Sequence, residues 1–124
     1  MNWQLPVGVA GGLLVFVAWK RLSLVPLARA RQLWRQGAWL VDVREPREFN
    51  SGHLRKAINL PLTRLDQDAP RRIPDKGQAM LLHCLSGSRS GTARRQLQTL
   101  GYRQVFNLGS YRRAERLVRD ASSQ

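Results

Sequence analysis

The sequence has 124 residues, room for one domain of ordinary size, and 21 basic against 8 acidic side chains give it a formal net charge of +13. Such a charge favours anionic partners in general, whether small oxyanions, lipid headgroups or nucleic acid. The single cysteine, Cys84, excludes an intramolecular disulfide, and His53 and His83 stand at spacings that suggest no metal cluster.

The first notable stretch is residues 3–19, which carry no charged side chain and have a tryptophan at each end. A membrane-spanning helix needs about 17–25 such residues, and tryptophans favour the two membrane interfaces. Lys20 and Arg21 follow the stretch, whereas a cleaved signal peptide has its basic residues before it. A membrane anchor is therefore the favoured interpretation, with a buried core helix as the alternative.

This interpretation divides the chain into an anchor at residues 1–21, a folded domain at 22–120 and a polar tail at 121–124. The basic residues after the stretch predict a single-pass protein of a bacterial inner membrane, with the domain facing the cytoplasm and membrane lipid as a partner. Gly8 and Gly12 form a small-xxx-small pair that could join two anchors into a dimer, although glycines are also common in membrane helices.

The rest of the chain alternates short apolar runs with segments of helical spacing. Strands are predicted at residues 39–43, 57–60, 79–84 and 104–108. Helices are predicted at residues 26–37, 46–52, 62–69, 91–100 and 111–119. This alternation predicts an α/β fold with a central parallel sheet and helices on both faces.

The basic side chains are spread along the chain with no stripe of interleaved aromatic residues, so we do not expect a nucleic-acid partner. Arg29, Arg31 and Arg35 lie on the first predicted helix and either contact anionic headgroups or form a solvated face.

Two charged residues, Asp42 and Arg44, fall at the carboxyl end of the first predicted strand, the sheet edge where ligands bind in α/β folds. Asp42 either bonds the loops near the site, which we favour because a charge there needs partners, or simply finishes the strand. Arg44 is expected to pair with a carboxylate such as Glu48.

The candidate nucleophile is Cys84, which follows the apolar run of the third strand and precedes a predicted helix. The loop between them consists of Leu85, Ser86, Gly87, Ser88, Arg89 and Ser90. Successive N–H groups in such a loop, with the helix N-terminus, attract anions and lower a thiol pKa. Arg89 either binds an anion or pairs elsewhere, and strand alternation turns His83 away from the thiol.

Several separate motifs together resemble a rhodanese domain. The first half of the resemblance lies in residues 40–49, Gly52-His53-Leu54 and residues 57–61. The second half lies in Leu82-His83-Cys84 with the loop through Ser90, and in residues 97–102. The resemblance spans residues 24–118 and implies a sulfurtransferase whose cysteine carries a persulfide, with a structural role for His53 and no cofactor.

The resemblance also implies the reaction and the binding residues. Cys84 takes sulfur from a small anionic donor or a persulfide and passes it to a thiol acceptor, which may be a protein, while the loop from Leu85 to Ser90 holds the substrate. Six residues from Cys84 through Arg89 resemble the sulfurtransferases, whereas related phosphatases have a loop one residue longer. The alternative is a carrier or docking module with no turnover of free thiosulfate.

Two departures from the family pattern stand out. Leu85 occupies the position after the cysteine where many rhodaneses have a basic residue, which puts efficient use of thiosulfate in doubt. Gly109-Ser110-Tyr111 replaces a glycine pair followed by tryptophan, a change expected to alter the packing of the last helix without reaching the thiol.

Overall fold

The computed structural model describes residues 12–15 and 23–122. Five helices are distinguished in the domain: α1 (Leu27–Arg35), α2 (Pro46–Ser51), α3 (Leu65–Arg72), α4 (Ser88–Thr99) and α5 (Tyr111–Ser122). The strands are β1 (Trp39–Asp42), β2 (Ala57–Asn59), β3 (Met80–His83) and β4 (Val105–Gly109), and a 3-10 turn covers Leu62–Arg64.

The four strands form one parallel sheet in the order β2-β1-β3-β4. Side chains alternate across it, so that Val41 and Leu82 enter one core with α3 and α4, while Leu40 and Leu81 enter another with α1 and α5. The predicted α/β fold, with a parallel sheet and helices on both faces, is confirmed.

Boundaries differ from the predictions where local pattern gave no signal. Helix α4 begins at Ser88, three residues before the predicted start, because Gly87 turns the chain with a left-handed φ of 100°. Helix α3 continues past Pro70 to Arg72. Pro70 lacks the N–H that a helical residue donates, but the burial of Leu65 and Ala69 in the core compensates for that missing hydrogen bond. Helix α5 extends to Ser122, into the predicted tail.

The predicted anchor and its Gly8–Gly12 pair fall mostly outside the described residues. Among the residues that are described, none belongs to a helix of the length and apolar character that crossing a bilayer requires.

One buried hydroxyl links the segments that follow α3 and α4, on the side of the sheet where these two helices pack. Tyr102 is 2% exposed, and its hydroxyl donates to the Ile73 carbonyl at 2.5 Å. Replacing Tyr102 by Phe leaves that buried carbonyl without its partner, so we expect the free energy of unfolding to fall by about 1–3 kcal/mol. Chemical denaturation at neutral pH measures the change.

The control for this prediction is Thr99→Ala, which removes an exposed hydroxyl near the same helix end and should change the free energy of unfolding by less than about 0.5 kcal/mol. An unchanged unfolding midpoint for Tyr102→Phe would contradict the assigned role of the hydroxyl.

Candidate active site

Cys84 lies one residue beyond the end of β3, at the carboxyl edge of the sheet, and is fully buried. The Cys84 side chain belongs to the core on the α4 side. Leu81 belongs to the core on the opposite side, and His83, two residues further along the strand, shares the face of Leu81. His83 therefore faces away from the thiol, as strand alternation predicts.

The thiol sulfur is held by groups of the loop that follows it. The Gly87 N–H donates to Cys84 Sγ at 3.0 Å, and the Ser90 hydroxyl lies 3.6 Å from the same sulfur. Helix α4 begins at Ser88, so its N-terminus also lies beside the sulfur. These are donors and dipoles of the kind that stabilise a thiolate.

The pKa of the thiol records the balance of two opposing effects. Burial of Cys84 raises the pKa. Hydrogen bonds from the Ser90 hydroxyl and from the backbone N–H groups of Ser90, Gly87 and Arg89 lower it by more, so the pKa of the thiol lies below its ordinary value. The Ser90 hydroxyl and the backbone amides, rather than a neighbouring histidine, therefore favour the ionised form.

The loop is fixed by a backbone seam, which we define as the contacts between residues 84–87 and 109–111. The Cys84 N–H donates to the Gly109 carbonyl at 3.1 Å, and the Tyr111 N–H donates to the Leu85 carbonyl at 3.1 Å. Ser86 and Ser110 form an antiparallel bridge. The segment at Gly109-Ser110-Tyr111 thus supports the loop, a role the sequence did not reveal beyond the glycine at the strand end.

Gly87 is required in this seam by the backbone conformation of the turn. Its φ is left-handed, and a Cβ at this position would lie 3.4 Å from the backbone of Gly109. A side chain here would strain the turn, so the N–H that reaches the sulfur depends on glycine.

The loop side chains divide between the solvent and internal partners. Leu85 is 60% exposed, and the Ser86 and Ser88 hydroxyls lie 3.3 Å apart. Ser90 is fully buried, and its hydroxyl lies 3.0 Å from the Gly87 carbonyl as well as near the sulfur. The six predicted binding residues therefore form one short loop around the thiol, with Leu85 as its exposed apolar side chain.

Arg89 pairs with a carboxylate from another element. Its guanidinium donates to Glu48 of α2 at 2.5 and 3.0 Å, so pairing elsewhere, one of the two alternatives, is the arrangement observed. The hydrogen bond from Arg89 lowers the pKa of Glu48 to about 2, against a smaller opposing effect of burial. Glu48 also accepts the Glu45 N–H and completes the capping box of α2.

Arg44 pairs with a nearby carboxylate, as expected, but the carboxylate is Asp42 and not Glu48. The Arg44 guanidinium folds back over the end of its own strand and donates to both oxygens of the buried Asp42, at 2.8 to 3.0 Å. It also donates to the Gly52 carbonyl at 2.8 Å, which ties the end of α2 to β1. Asp42 thus bonds the loop after its own strand, and no hydrogen bond joins it to the described residues of the cysteine loop.

A buried polar cluster extends from this pair behind the cysteine loop. His83 Nε2 lies 3.9 Å from Asp42 Oδ2, and burial lowers the pKa of His83, so its imidazole is neutral near pH 7. The Arg44 guanidinium lies 4.9 Å from the centre of the Tyr111 ring, and the Tyr111 N–H holds Leu85. Asp42 is therefore connected to the cysteine loop only indirectly, through Arg44 and Tyr111.

His53 has the structural role that was expected. Its ring stacks on Phe49 at 3.8 Å between centroids, and its Nδ1 lies 2.9 Å from the Phe49 carbonyl. These contacts hold the end of α2.

The amide and hydroxyl contacts predict an acidic thiol. Thiolate absorbance in the ultraviolet, corrected with Cys84→Ser, should titrate below the ordinary pKa of about 8.5. Because a hydrogen bond to a charged group contributes about 1.5–3 kcal/mol, Ser90→Ala should raise that midpoint by about one pH unit or more.

Thr92→Ala serves as the matched control, because the Thr92 hydroxyl bonds the Ser88 carbonyl on the same helix and not the sulfur. A wild-type midpoint at or above the ordinary value, or equal shifts in the two variants, would contradict this account of the site.

Comparison with known proteins places this geometry in a family. Residues 27–113 match the model of the rhodanese-like domain. The chain is 35% identical over 69 residues to the thiosulfate sulfurtransferase PspE of Escherichia coli, covering 56% of this chain and 66% of that protein. It is 30% identical over 84 residues to the thiosulfate sulfurtransferase GlpE of Pseudomonas syringae, covering 68% of this chain and 77% of that one.

Solved structures agree with the sequence relatives. The human single-domain sulfurtransferase TSTD1 superposes with a TM-score of 0.62 at 27% identity, over 76% of this chain and 96% of that one. Among the sequence relatives, the chain spans 66% of PspE, 43% of slr1261 of Synechocystis and 55% of YqhL of Bacillus subtilis. Because the family model covers well over half of the 124 residues, the chain belongs to the rhodanese-like domain family.

Proposed function

We propose that this protein is a sulfurtransferase that moves sulfane sulfur from a donor to a thiophilic acceptor through a persulfide on Cys84. The observation that carries the proposal is the hydrogen bond of 3.0 Å from the Gly87 N–H to the Cys84 sulfur, at the N-terminus of α4. An amide in this position stabilises both the attacking thiolate and the persulfide anion formed from it. The relatives named as thiosulfate sulfurtransferases support the same chemistry.

The proposed reaction has two balanced steps. In the first, the Cys84 thiolate attacks the outer sulfur of a donor such as thiosulfate, the donor S–S bond breaks, and sulfite leaves with the bonding electron pair. In the second, cyanide or a thiolate attacks the outer sulfur of the Cys84 persulfide and restores the Cys84 thiolate. Because the first product leaves before the acceptor reacts, we expect ping-pong kinetics.

The test combines mass spectrometry with steady-state transfer. After exposure to a sulfur donor, a peptide containing Cys84 should gain about 32 Da, the mass of one sulfur atom, and should lose it on addition of an acceptor thiol. Cys84→Ser should abolish both the adduct and the transfer of sulfur to cyanide.

Full transfer activity in Cys84→Ser contradicts the proposal. A sulfur adduct delivered only by a protein partner, without turnover of free thiosulfate, favours the alternative of a carrier module instead.

We further propose that the chain is anchored in a membrane through residues 1–21, whose central part, 3–19, carries no charged side chain. The contacts of the residues that follow the anchor support a position of the Cys84 site near the bilayer. The Val25 N–H donates to the Asn107 carbonyl at 2.9 Å, and Leu24 packs against Gly109 at the carboxyl end of β4. This is the sheet edge that also carries Cys84, so the chain leaves the domain on the side of the site.

Membrane fractionation tests the anchor. The full chain should stay with the membranes after an alkaline wash, whereas a variant with both Leu14→Lys and Val15→Lys should be released, because each charge at the bilayer centre costs about 2.5–3.5 kcal/mol. Wild-type protein in the wash supernatant would overturn the anchor and leave the sulfurtransferase proposal untouched.

A further inference from the structure

Two arginines near the cysteine loop are already paired with carboxylates of the protein. We call the exposed surface around this loop the mouth of the site. Arg89 is paired with Glu48 through two hydrogen bonds, and the two side chains are 32% and 34% exposed, so this pair lies where a dissolved donor meets the protein. Arg44, whose guanidinium lies over the Tyr111 ring, is paired with the fully buried Asp42. These two arginines therefore each have a negative charge of the protein beside them.

The side chain next to the thiol adds an apolar surface. Leu85 is 60% exposed and follows Cys84 directly, and the other exposed loop side chains, Ser86 and Ser88, are neutral. Once Cys84 is ionised, the loop together with Glu48 carries a net charge of −1, from one arginine, one glutamate and one thiolate. A donor that approaches the sulfur thus meets the negative charge of the Cys84 thiolate and the apolar side chain of Leu85.

Such a mouth disfavours a dianion. Thiosulfate carries two negative charges and must come within bonding distance of a third, so a free cation beside the sulfur would favour its approach. Arg89 is the loop cation in position to serve, but Glu48 is a tethered competitor with a high effective concentration at that guanidinium. Since Arg89 lowers the pKa of Glu48 to about 2, the carboxylate stays ionised across the neutral range and holds the arginine there.

We propose that Glu48 is a specificity-determining residue that keeps Arg89 paired and thereby selects organic hydropersulfides, R–S–SH, over thiosulfate as the sulfur donor. The inference rests on the proposed sulfurtransferase function and names its donor class. A hydropersulfide needs no bidentate cation, and its R group packs on Leu85.

The step from this donor is balanced in atoms and charge. The Cys84 thiolate attacks the outer sulfur, a new S–S bond forms on Cys84, and the donor S–S bond breaks with its electron pair leaving on R–S⁻. The proton of the outer sulfur passes to this leaving thiolate, which gives Cys84–S–S⁻ and R–SH. No external oxidant or reductant takes part.

The experiment compares thiosulfate with tert-butyl hydropersulfide as donors for the full chain, with kcat/KM measured for each. Wild type should prefer the hydropersulfide by about tenfold or more, since about 1.4 kcal/mol of electrostatic discrimination corresponds to tenfold. Glu48→Gln keeps an oxygen for the Glu45 N–H but removes the charge, so the ratio of thiosulfate to hydropersulfide kcat/KM should rise by about tenfold.

A second variant and a control separate selection from folding. Leu85→Lys adds a cation at an exposed position, where it should fold normally, and should raise the same ratio. Glu115→Gln removes the carboxylate of a comparable pair with Arg119 on α5, and should leave the ratio unchanged.

The inference is overturned if wild type uses thiosulfate as well as the hydropersulfide, or if Glu48→Gln lowers both kcat/KM values in parallel, the behaviour of a residue that only holds the loop. A Cys84 that loads sulfur from neither donor overturns the proposed function itself, an outcome distinct from efficient loading by thiosulfate.

Discussion

The site depends on one close approach of two backbones. Gly87 packs beside Gly109, where a Cβ would make an ordinary contact at 3.4 Å, and the seam places the Cys84 and Tyr111 N–H groups on carbonyls of the opposite segment. This contact fixes the turn at Gly87, which aims an N–H at the sulfur and starts α4 beside it. The chemistry of the thiol thus follows from backbone placement, with few side chains involved.

Charge is arranged around the seam in two closed pairs. Asp42 is fully buried and would be costly there without Arg44, whose guanidinium reaches both of its oxygens. The same guanidinium lies over Tyr111, the residue that begins α5 and holds Leu85. The second pair, Arg89 with Glu48, joins the helix after the thiol to the helix after β1. Together, the two ion pairs connect the segment after β1 to the cysteine loop after β3 and to the start of α5.

Much of the fold could be predicted from local pattern. The alternation of apolar runs and helical spacing predicted the parallel sheet, and the small residues between β3 and α4 predicted the loop around Cys84. Opposite faces for His83 and Cys84 followed from strand geometry alone. These features depend on residues close together in sequence, where periodicity and turn chemistry are informative.

What could not be predicted depends on residues far apart. Arg89 and Glu48 are separated by 41 positions, and nothing in either local sequence selects the other as a partner. Glu48 seemed the natural partner for Arg44 because it is near in sequence, but the two-residue spacing to Asp42 suits the guanidinium better. The seam with Gly109 was missed for the same reason, since pairing of β3 with β4 and its register shift near His83 arise only in the folded sheet.

Cys84 is fully buried next to the exposed Leu85, and this burial bears on the proposed transfer of sulfur. The resting sulfur is shielded from bulky oxidants and electrophiles, which limits adventitious damage. In the proposed reaction, attachment of one more sulfur lengthens the side chain by about 2 Å, the length of a disulfide bond. Under that proposal, the sulfur that stays with the protein remains covered by the fold, and the sulfur to be delivered lies one bond beyond it.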